Sequence, residues 1–111
     1  MSRHVKKNLA IIRAFSDLPP TARREVLRCA NSSLATGLCE IIYNILQGKI
    51  RLSPKHKSRF NKSKRNLRLL GYQKRLPLQR KRKLLVQSGG FLSAILPLVA
   101  SIVSGIVSAT T

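Results

Sequence analysis

The sequence has very few acidic residues, and it lacks the residue groupings that most enzymes use. Only three of its 111 residues are acidic, and these three, Asp17, Glu25 and Glu40, are widely spaced. They offer no general acid–base pair and no carboxylate cluster for a metal. The histidines, His4 and His56, stand among cations, and no phosphate-binding glycine loop is present. We therefore predict a protein that is not an enzyme and that holds no metal or cofactor.

Cysteine and aromatic residues are also scarce. Cys29 and Cys39 lie ten positions apart, without a CxxC pattern or paired histidines, so their spacing does not indicate a zinc site. We expect two small buried side chains, since a disulfide requires an oxidising compartment. The five aromatic residues are too scattered in the sequence for a base-stacking platform. Tyr72 is expected in a turn, with stacking on a base as the alternative.

Positive charge dominates the composition and is unevenly distributed. The chain carries 22 Lys and Arg residues, a net charge of +19 and a pI of about 11.7. Residues 1–48 contain seven basic residues, residues 49–83 contain fifteen with no acid, and residues 84–111 contain no charged side chain. We call these parts the head (1–48), the basic segment (49–83), a Gly-Gly linker (84–90) and the tail (91–111). Positive charges packed this densely repel one another, and binding to a polyanionic partner would relieve the repulsion.

The head is predicted to be a small bundle of three helices. Val5, Leu9, Ile12 and Phe15 follow the spacing of one helix face, and Pro19-Pro20 ends that helix. Asp17 is predicted to cap a second helix. A third helix should begin near residues 31–33 and end at Gly48, with residues 38–46 at the centre of the core. No secretory signal is expected, because only four apolar residues follow Met1 to Lys7.

The basic segment is predicted to be helical as well, which makes the whole chain all-α. Ser53 followed by Pro54 is a strong signal for a helix start. One helix is expected from Lys55 to Leu70, with Gly71 as its stop and Phe60, Leu67 and Leu70 as its apolar stripe. Residues 79–83 form a further basic cluster that can be helical or extended.

The cations of this segment indicate binding to phosphate groups. A solvated helix face normally alternates charges of both signs, whereas this segment has no acid. Along a nucleic acid each cation can displace a condensed counterion, which gives affinity with little sequence preference. A solvated face and an acidic membrane surface are the alternatives. The predicted nucleic-acid-binding residues are Lys55, Lys57, Arg59, Lys62, Lys64, Arg65, Arg68, Lys74, Arg75, Arg80, Lys81, Arg82 and Lys83.

The tail reads as an apolar helix. Its large side chains fall at positions 91, 92, 95, 96, 99, 102, 103, 106 and 107, which is a helical repeat. Such a helix can lie on a membrane, pack against another helix through its small residues, or just span a bilayer. A basic flank before it also fits a tail-anchored protein. The remaining alternative is a buried helix that covers the core of the head.

The junction before the tail resembles a known processing site. Gln87-Ser88-Gly89-Gly90-Phe91 looks like the site of the adenovirus maturation protease, which cuts after Gly-Gly. The sequence that follows, GGFLSAILPLVASIVSGIV, is similar to the hydrophobic end of the adenovirus core precursor pX. Together with residues 44–48, residues 83–92 (KLLVQSGGFL) resemble the pX-like virion core proteins of adintoviruses and Maverick/Polinton elements.

This resemblance implies a DNA-condensing core protein of a virus or transposon, made as a precursor that is cleaved after Gly90. It implies double-stranded DNA, a maturation protease and capsid proteins as partners, and the virion core and host nucleus as locations. Gly89, Gly90 and Phe91 would then form the cleavage site, with a flexible hinge before a helix as the alternative for the two glycines. Self-association through the head is also expected. The rival hypothesis is a membrane-associated protein whose residues 91–109 insert into a bilayer while the basic segment binds acidic headgroups.

Overall fold

The computed structural model describes residues 3–110, with side chains from residue 3 to residue 103. This part of the chain is all-α, as predicted, and contains no strand. In chain order the elements are α1 (Arg3–Lys7), α2 (Leu9–Ala14), a 3-10 turn (Phe15–Asp17), α3 (Pro20–Arg28), α4 (Ser32–Leu46), α5 (Pro54–Lys62), α6 (Lys64–Tyr72), α7 (Leu78–Gln87) and α8 (Gly89–Thr110).

The first predicted helix is broken at Asn8. Its side chain donates to the carbonyl of His4 at 2.8 Å and to the hydroxyl of Ser33 at 3.1 Å. Asparagine competes with the helical backbone in this way, so the break follows from its side chain. The apolar face is nevertheless as predicted, because Val5, Ile12 and Phe15 are buried on both sides of the break.

The prediction that Asp17 caps the second helix is wrong. Asp17 belongs to the 3-10 turn and is exposed, and α3 begins three residues later at Pro20. Pro19 precedes this helix with extended backbone angles, φ −58° and ψ 155°. Proline suits a helix start because its missing N–H would have no partner there. The two prolines therefore set the boundary, without a side-chain cap.

Helix α4 forms as predicted and supplies much of the core. The side chain of Asn31 accepts a hydrogen bond from the backbone N–H of Leu34 at 2.8 Å, which satisfies an orphan donor in the first turn. The buried residues of the helix are Leu34, Ala35, Gly37, Leu38, Ile41, Ile42 and Ile45. Beyond the helix, Gly48 has φ +74°, a left-handed conformation that favours glycine.

The single helix predicted for residues 55–70 is two helices, α5 and α6. The chain leaves helical geometry at Ser63, whose N–H bonds the carbonyl of Phe60 at 3.0 Å. The break lets the two helices pack on different partners: α5 contacts α8 and α6 contacts α4. The cap at Ser53 is confirmed, since its hydroxyl accepts from the N–H of His56 at 3.2 Å.

The sequence predicted that Gly71 ends its helix, and this prediction is wrong, because α6 continues to Tyr72. Its role is to allow close packing. A Cβ atom at this position would lie 2.5 Å from Cδ1 of Leu46 and 3.4 Å from the backbone nitrogen of Tyr43, both on α4. Glycine at this position therefore allows α6 and α4 to pack closely, and the neighbouring sequence does not indicate this role.

The tail forms the central helix of the core. Residues Phe91, Leu92, Ile95, Leu96, Val99, Ala100 and Val103 of α8 are buried, and the helix contacts α2, α3, α5, α7 and the 3-10 turn. Of the alternatives for the tail, a buried helix packed on the head describes this arrangement. The helix continues through Pro97, which is exposed. The predicted apolar positions 106 and 107 lie outside the described side chains.

The stretch predicted as a Gly-Gly linker, residues 84–90, is mostly helical. Leu84 and Leu85 are buried in α7, Ser88 alone connects the two helices, and Gly89 and Gly90 form the first turn of α8. The axes of α7 and α8 meet at 90°. The apolar residues on both sides face one core, so the chain turns sharply where a linker was expected.

Head, basic segment and tail thus share a single hydrophobic core. The radius of gyration is 13.0 Å, close to the value of about 13 Å expected for a compact domain of 100 residues. A basic segment extending into solvent would give a larger value. The predicted segment boundaries therefore mark changes in charge, and they do not mark separate folding units.

The cysteines differ from the prediction that both are buried. Cys29 is exposed at the end of α3, and Cys39 is partly buried on α4; both are free thiols. Burial raises the pKa of the Cys39 thiol. Cys29 lies just after the last residue of α3 and faces solvent, because Leu27 and Ala30 make the core contacts at this turn.

Candidate nucleic-acid interface

The thirteen predicted phosphate-binding residues are distributed over three helices and one turn. Eleven of them are exposed, while Lys81 and Arg82 are partly buried. They lie on α5 (Lys55, Lys57, Arg59, Lys62), on α6 (Lys64, Arg65, Arg68), in the turn between α6 and α7 (Lys74, Arg75) and on α7 (Arg80, Lys81, Arg82, Lys83). The basic cluster at residues 79–83, left open between helical and extended, is helical.

None of these thirteen residues forms an ion pair with a carboxylate in the described part of the chain. The salt bridge found there joins Arg28 and Glu25 of α3, with 2.7 Å between Nη2 and Oε2. The basic segment therefore carries uncompensated positive charge on the surface of a folded body. Such a surface produces a strong positive potential that attracts polyanions.

Four cations from distant parts of the sequence meet in a groove between α3 and α7, with a volume of about 480 Å³. We call it the α3–α7 groove. Arg24 and Arg28 come from the head, and Arg82 and Lys83 come from the basic segment. The sequence prediction missed the two head residues, because they are an ordinary exposed face of a short helix until α7 packs beside them. No local sequence signal marks this contact.

Arg28 is held in a fixed position at this groove. Its Nε donates to Oε1 of Glu25 at 2.9 Å, and its Nη2 donates to Oε2 at 2.7 Å. This hydrogen bonding lowers the pKa of Glu25, which therefore stays ionised. The pair partly neutralises Arg28, so Arg24 and Lys83 contribute the less compensated charges of the groove.

Arg82 has a structural contact in addition to its position in the groove. Its Nε donates to the backbone carbonyl of Ala30 at 2.7 Å. Ala30 follows the end of α3, where carbonyl groups lack helical partners. The guanidinium thus joins α7 to the connection between α3 and α4, and its Nη atoms remain available as donors. Arg82 is therefore unsuitable for testing charge alone.

Lys81 faces a different environment from its neighbours on α7. It lines a cavity of about 440 Å³ with Cys39, Glu40, Tyr43 and Lys74, among others. Oε2 of Glu40 is buried and has no hydrogen-bond partner among the described residues. Because Lys81 is partly buried and shares this cavity with an acidic residue, it is less favourable for binding a polyanion than an exposed residue such as Lys83.

A larger cavity, of about 610 Å³, lies between the end of α4 and helices α5 and α6. We call it the amphipathic cavity, because apolar and basic side chains both line it. The apolar residues are Ile45, Leu46, Leu52 and Phe60, and the polar or aromatic residues are Lys57, Asn61, Lys64, Arg68 and Tyr72. Three predicted phosphate-binding residues therefore surround one concave surface.

Four of the five aromatic residues, scattered in the sequence, form two edge-to-face pairs in the structure. Tyr43 and Tyr72 have ring centroids 6.0 Å apart at 90°, and Phe60 and Phe91 have centroids 5.7 Å apart at 69°. Tyr72 is helical, so the prediction that it lies in a turn is wrong. Its hydroxyl accepts a hydrogen bond from Nε2 of Gln47 at 3.3 Å. Tyr72 is 47% exposed and lines the amphipathic cavity.

The residues of the predicted cleavage site are helical. Gly89 and Gly90 line a small cavity of about 250 Å³ beside Arg23, whose Nη1 donates to the hydroxyl of Ser93 at 3.0 Å. Phe91 is only 3% exposed. A protease that binds an extended substrate would first have to open the first turn of α8. Cleavage after Gly90 stays a prediction with this added requirement.

Among the described residues, no single helix is both long and apolar enough to cross a membrane. Helix α7 and residues 89–103 of α8 together reach the necessary length and hydropathy, but they are bent by 90°.

No protein-family model, curated protein or solved structure matches the chain in the comparisons with known proteins.

Proposed function

We propose that the protein binds nucleic acid through the phosphate backbone, without sequence preference, and condenses DNA in the core of a virus or transposon particle. The observation that carries this proposal is the basic segment, with fifteen cations and no acid in 35 residues, displayed on a folded body. The resemblance of residues 83–92 to pX-like core proteins supports the particle context. The virion core and the host nucleus are the corresponding locations.

The α3–α7 groove extends the proposed binding surface beyond the basic segment. Arg24 and Lys83 line it together and belong to different helices. A phosphodiester chain in this groove would contact cations from both the head and the basic segment. Because the contacts involve phosphate groups only, they would hold any sequence equally well.

Salt dependence of binding provides the test. Fluorescence anisotropy with two unrelated 30-base-pair duplexes should give equal affinities, and the logarithm of the association constant should fall linearly with the logarithm of salt concentration. The double variant R24Q/K83Q should make this slope shallower by about 1.8, since each lost phosphate contact contributes about 0.9.

The matched control is K6Q/K7Q, which removes two exposed cations from α1 and should leave the slope unchanged. Arg28 and Arg82 are left intact in both variants because they hold structural hydrogen bonds. A wild-type affinity that is insensitive to salt, or an equal loss of slope in both variants, would contradict the proposal.

The proposal includes maturation by cleavage between Gly90 and Phe91. Because α8 begins at Gly89, cleavage would break the backbone between the central helix and the rest of the chain. An adenovirus-type protease should produce a fragment that begins at Phe91, and Gly90→Val should block the cut. Addition of about 2 M urea should accelerate cleavage of the wild type if the first turn of α8 must open. Failure to cut even the unfolded chain would eliminate this part of the proposal.

The alternative, a membrane-associated protein, requires α8 to leave the core. Seven side chains of this helix are buried against other helices, and insertion would transfer them to lipid. Flotation with vesicles containing phosphatidylserine separates the two functions. The membrane alternative predicts binding that persists at high salt, because the inserted helix is apolar. A purely electrostatic interaction with the basic segment would be lost.

A further inference from the structure

We propose that the amphipathic cavity binds a single unstacked nucleotide of a nucleic-acid strand, with the base against its apolar wall and the flanking phosphates on its cations. This inference rests on the proposed function and specifies it further, since it assigns a base-binding site to a protein otherwise expected to contact phosphates alone.

The composition of the cavity defines the chemistry of its ligand. Its wall is formed by apolar side chains from α4, the following loop and α5, including Leu46, Leu52 and Phe60. Lys57, Lys64 and Arg68 line the same space. A ligand that satisfies both must combine a flat or apolar body with more than one negative charge. Its volume of about 610 Å³ lies within the range of about 300–1,000 Å³ typical of small-molecule sites.

Tyr72 provides an aromatic surface for the base. It is the only tyrosine lining this cavity among the described residues, and almost half of the side chain is exposed. The edge contact with Tyr43 and the hydrogen bond from Gln47 fix the position of the ring before any ligand binds. A preorganised ring loses little side-chain entropy when a base stacks on it. Stacking of this kind tolerates any base, consistent with binding that lacks sequence preference.

The polar residues fit the rest of a nucleotide. Lys64 and Arg68 lie one turn apart on α6, so their side chains are neighbours on the helix surface. An arginine guanidinium can bind phosphate oxygens in a bidentate manner. The carboxamide of Asn61 can both donate to and accept from the polar edge of a base. A fatty acid, by contrast, carries one negative charge and would leave two cations unneutralised.

Binding of single strands and duplexes should therefore differ in its dependence on Tyr72. In an anisotropy assay, Tyr72→Leu should weaken binding of a 12-nucleotide single strand by about 5- to 150-fold. Binding of a 12-base-pair duplex should change less than twofold, because its bases remain stacked. Tyr72→Phe keeps the ring and should stay within about twofold of wild type on both probes.

Two further variants keep the test valid if Tyr72→Leu fails to fold, which circular dichroism would show. Asn61→Leu replaces an exposed residue that lines the cavity, and it should weaken single-strand binding selectively. K57Q/K64Q removes two cations of the cavity, and K55Q/K62Q removes two exposed cations of the same basic segment that do not line it. The first pair should weaken single-strand binding more than the second.

Intrinsic fluorescence gives an independent readout, because the chain has two tyrosines and no tryptophan. A single strand should quench the tyrosine emission of the wild type more strongly than that of Tyr72→Phe. Equal losses on single strand and duplex in Tyr72→Leu and Asn61→Leu would overturn the inference while leaving the proposed function intact. If the wild type binds neither the single strand nor the duplex, both the inference and the proposed function are wrong. Displacement of the single strand by micromolar oleate, with no dependence on Tyr72, would identify a lipid site instead.

Discussion

The basic segment and the tail lie close together in the sequence and are opposites in chemistry, and the fold places them in opposite environments. Helix α5 of the basic segment has no buried residue, whereas α8 has seven among residues 91–103. Most surface helices combine an apolar face with a polar face. Here the two properties are largely separated along the chain, so that one helix supplies the interior and others supply the charged exterior.

This separation makes the charged exterior dependent on the uncharged interior. Like charges on α5 and α6 repel one another, and helices of nine residues are not stable in isolation. Their contacts with the core come from a few side chains, above all Leu67, Leu70 and the partly buried Phe60. The interior therefore determines where the phosphate-binding cations are held. Removal of residues 91–111 would therefore take away seven of the buried side chains on which these contacts depend.

The largest effect is expected from truncating the interior helix. Leu96→Ala should lower the free energy of unfolding by about 2–5 kcal/mol, because Leu96 is 1% exposed and its loss leaves a cavity. Ile102→Ala, on the same helix but 37% exposed, should cost less than about 1 kcal/mol. Urea unfolding followed by circular dichroism measures both. If both substitutions lower the free energy of unfolding by the same small amount, α8 does not pack in the hydrophobic core.

A somewhat smaller effect should mark the attachment of the basic segment. Leu67→Ala should destabilise the fold by about 2–4 kcal/mol, since the side chain is fully buried in the contact of α6 with α4. The adjacent Arg68→Ala removes an exposed cation and should change stability by less than about 0.5 kcal/mol. If both variants have the same urea midpoint of unfolding as the wild type, the basic segment is not part of the folded unit.

The smallest effect is expected where the head meets the basic segment. Gly48→Ala should cost about 1 kcal/mol, because alanine is strained at φ +74°. No atom lies within 4 Å of an added Cβ, so a steric clash does not contribute. Gly48→Asn is the control and should cost less, since asparagine tolerates this conformation better. A higher thermal unfolding temperature for Gly48→Ala than for Gly48→Asn would contradict this account of the boundary.

Features set by neighbouring residues could be predicted from the sequence. The caps at Asn31 and Ser53 and the left-handed glycine at position 48 depend on local backbone chemistry, and all are present. The apolar centre of α4 also follows directly from its pattern. Asp17 shows the limit of such rules, because two prolines immediately downstream determined the helix start instead.

Features set by distant contacts could not be predicted. An apolar helix carries the same pattern whether it enters a membrane or a protein core, so the environment of α8 was left open by the sequence. The break at Ser63 reflects the different partners of α5 and α6. The α3–α7 groove and the amphipathic cavity likewise combine residues that are distant in sequence and lie on separate helices, as Arg28 with Lys83 and Leu46 with Lys64.

The position of α8 after the basic segment has a consequence for synthesis. All fifteen cations of that segment are synthesised before the helix that completes the core. At about 5–20 residues per second, translation of residues 91–111 takes roughly one to four seconds. During that interval the nascent chain is a polycation that lacks the buried side chains of α8, beside ribosomal RNA. Folding must then compete with this nearby polyanion, and the completion of α8 sets the earliest moment at which the cations acquire their final arrangement.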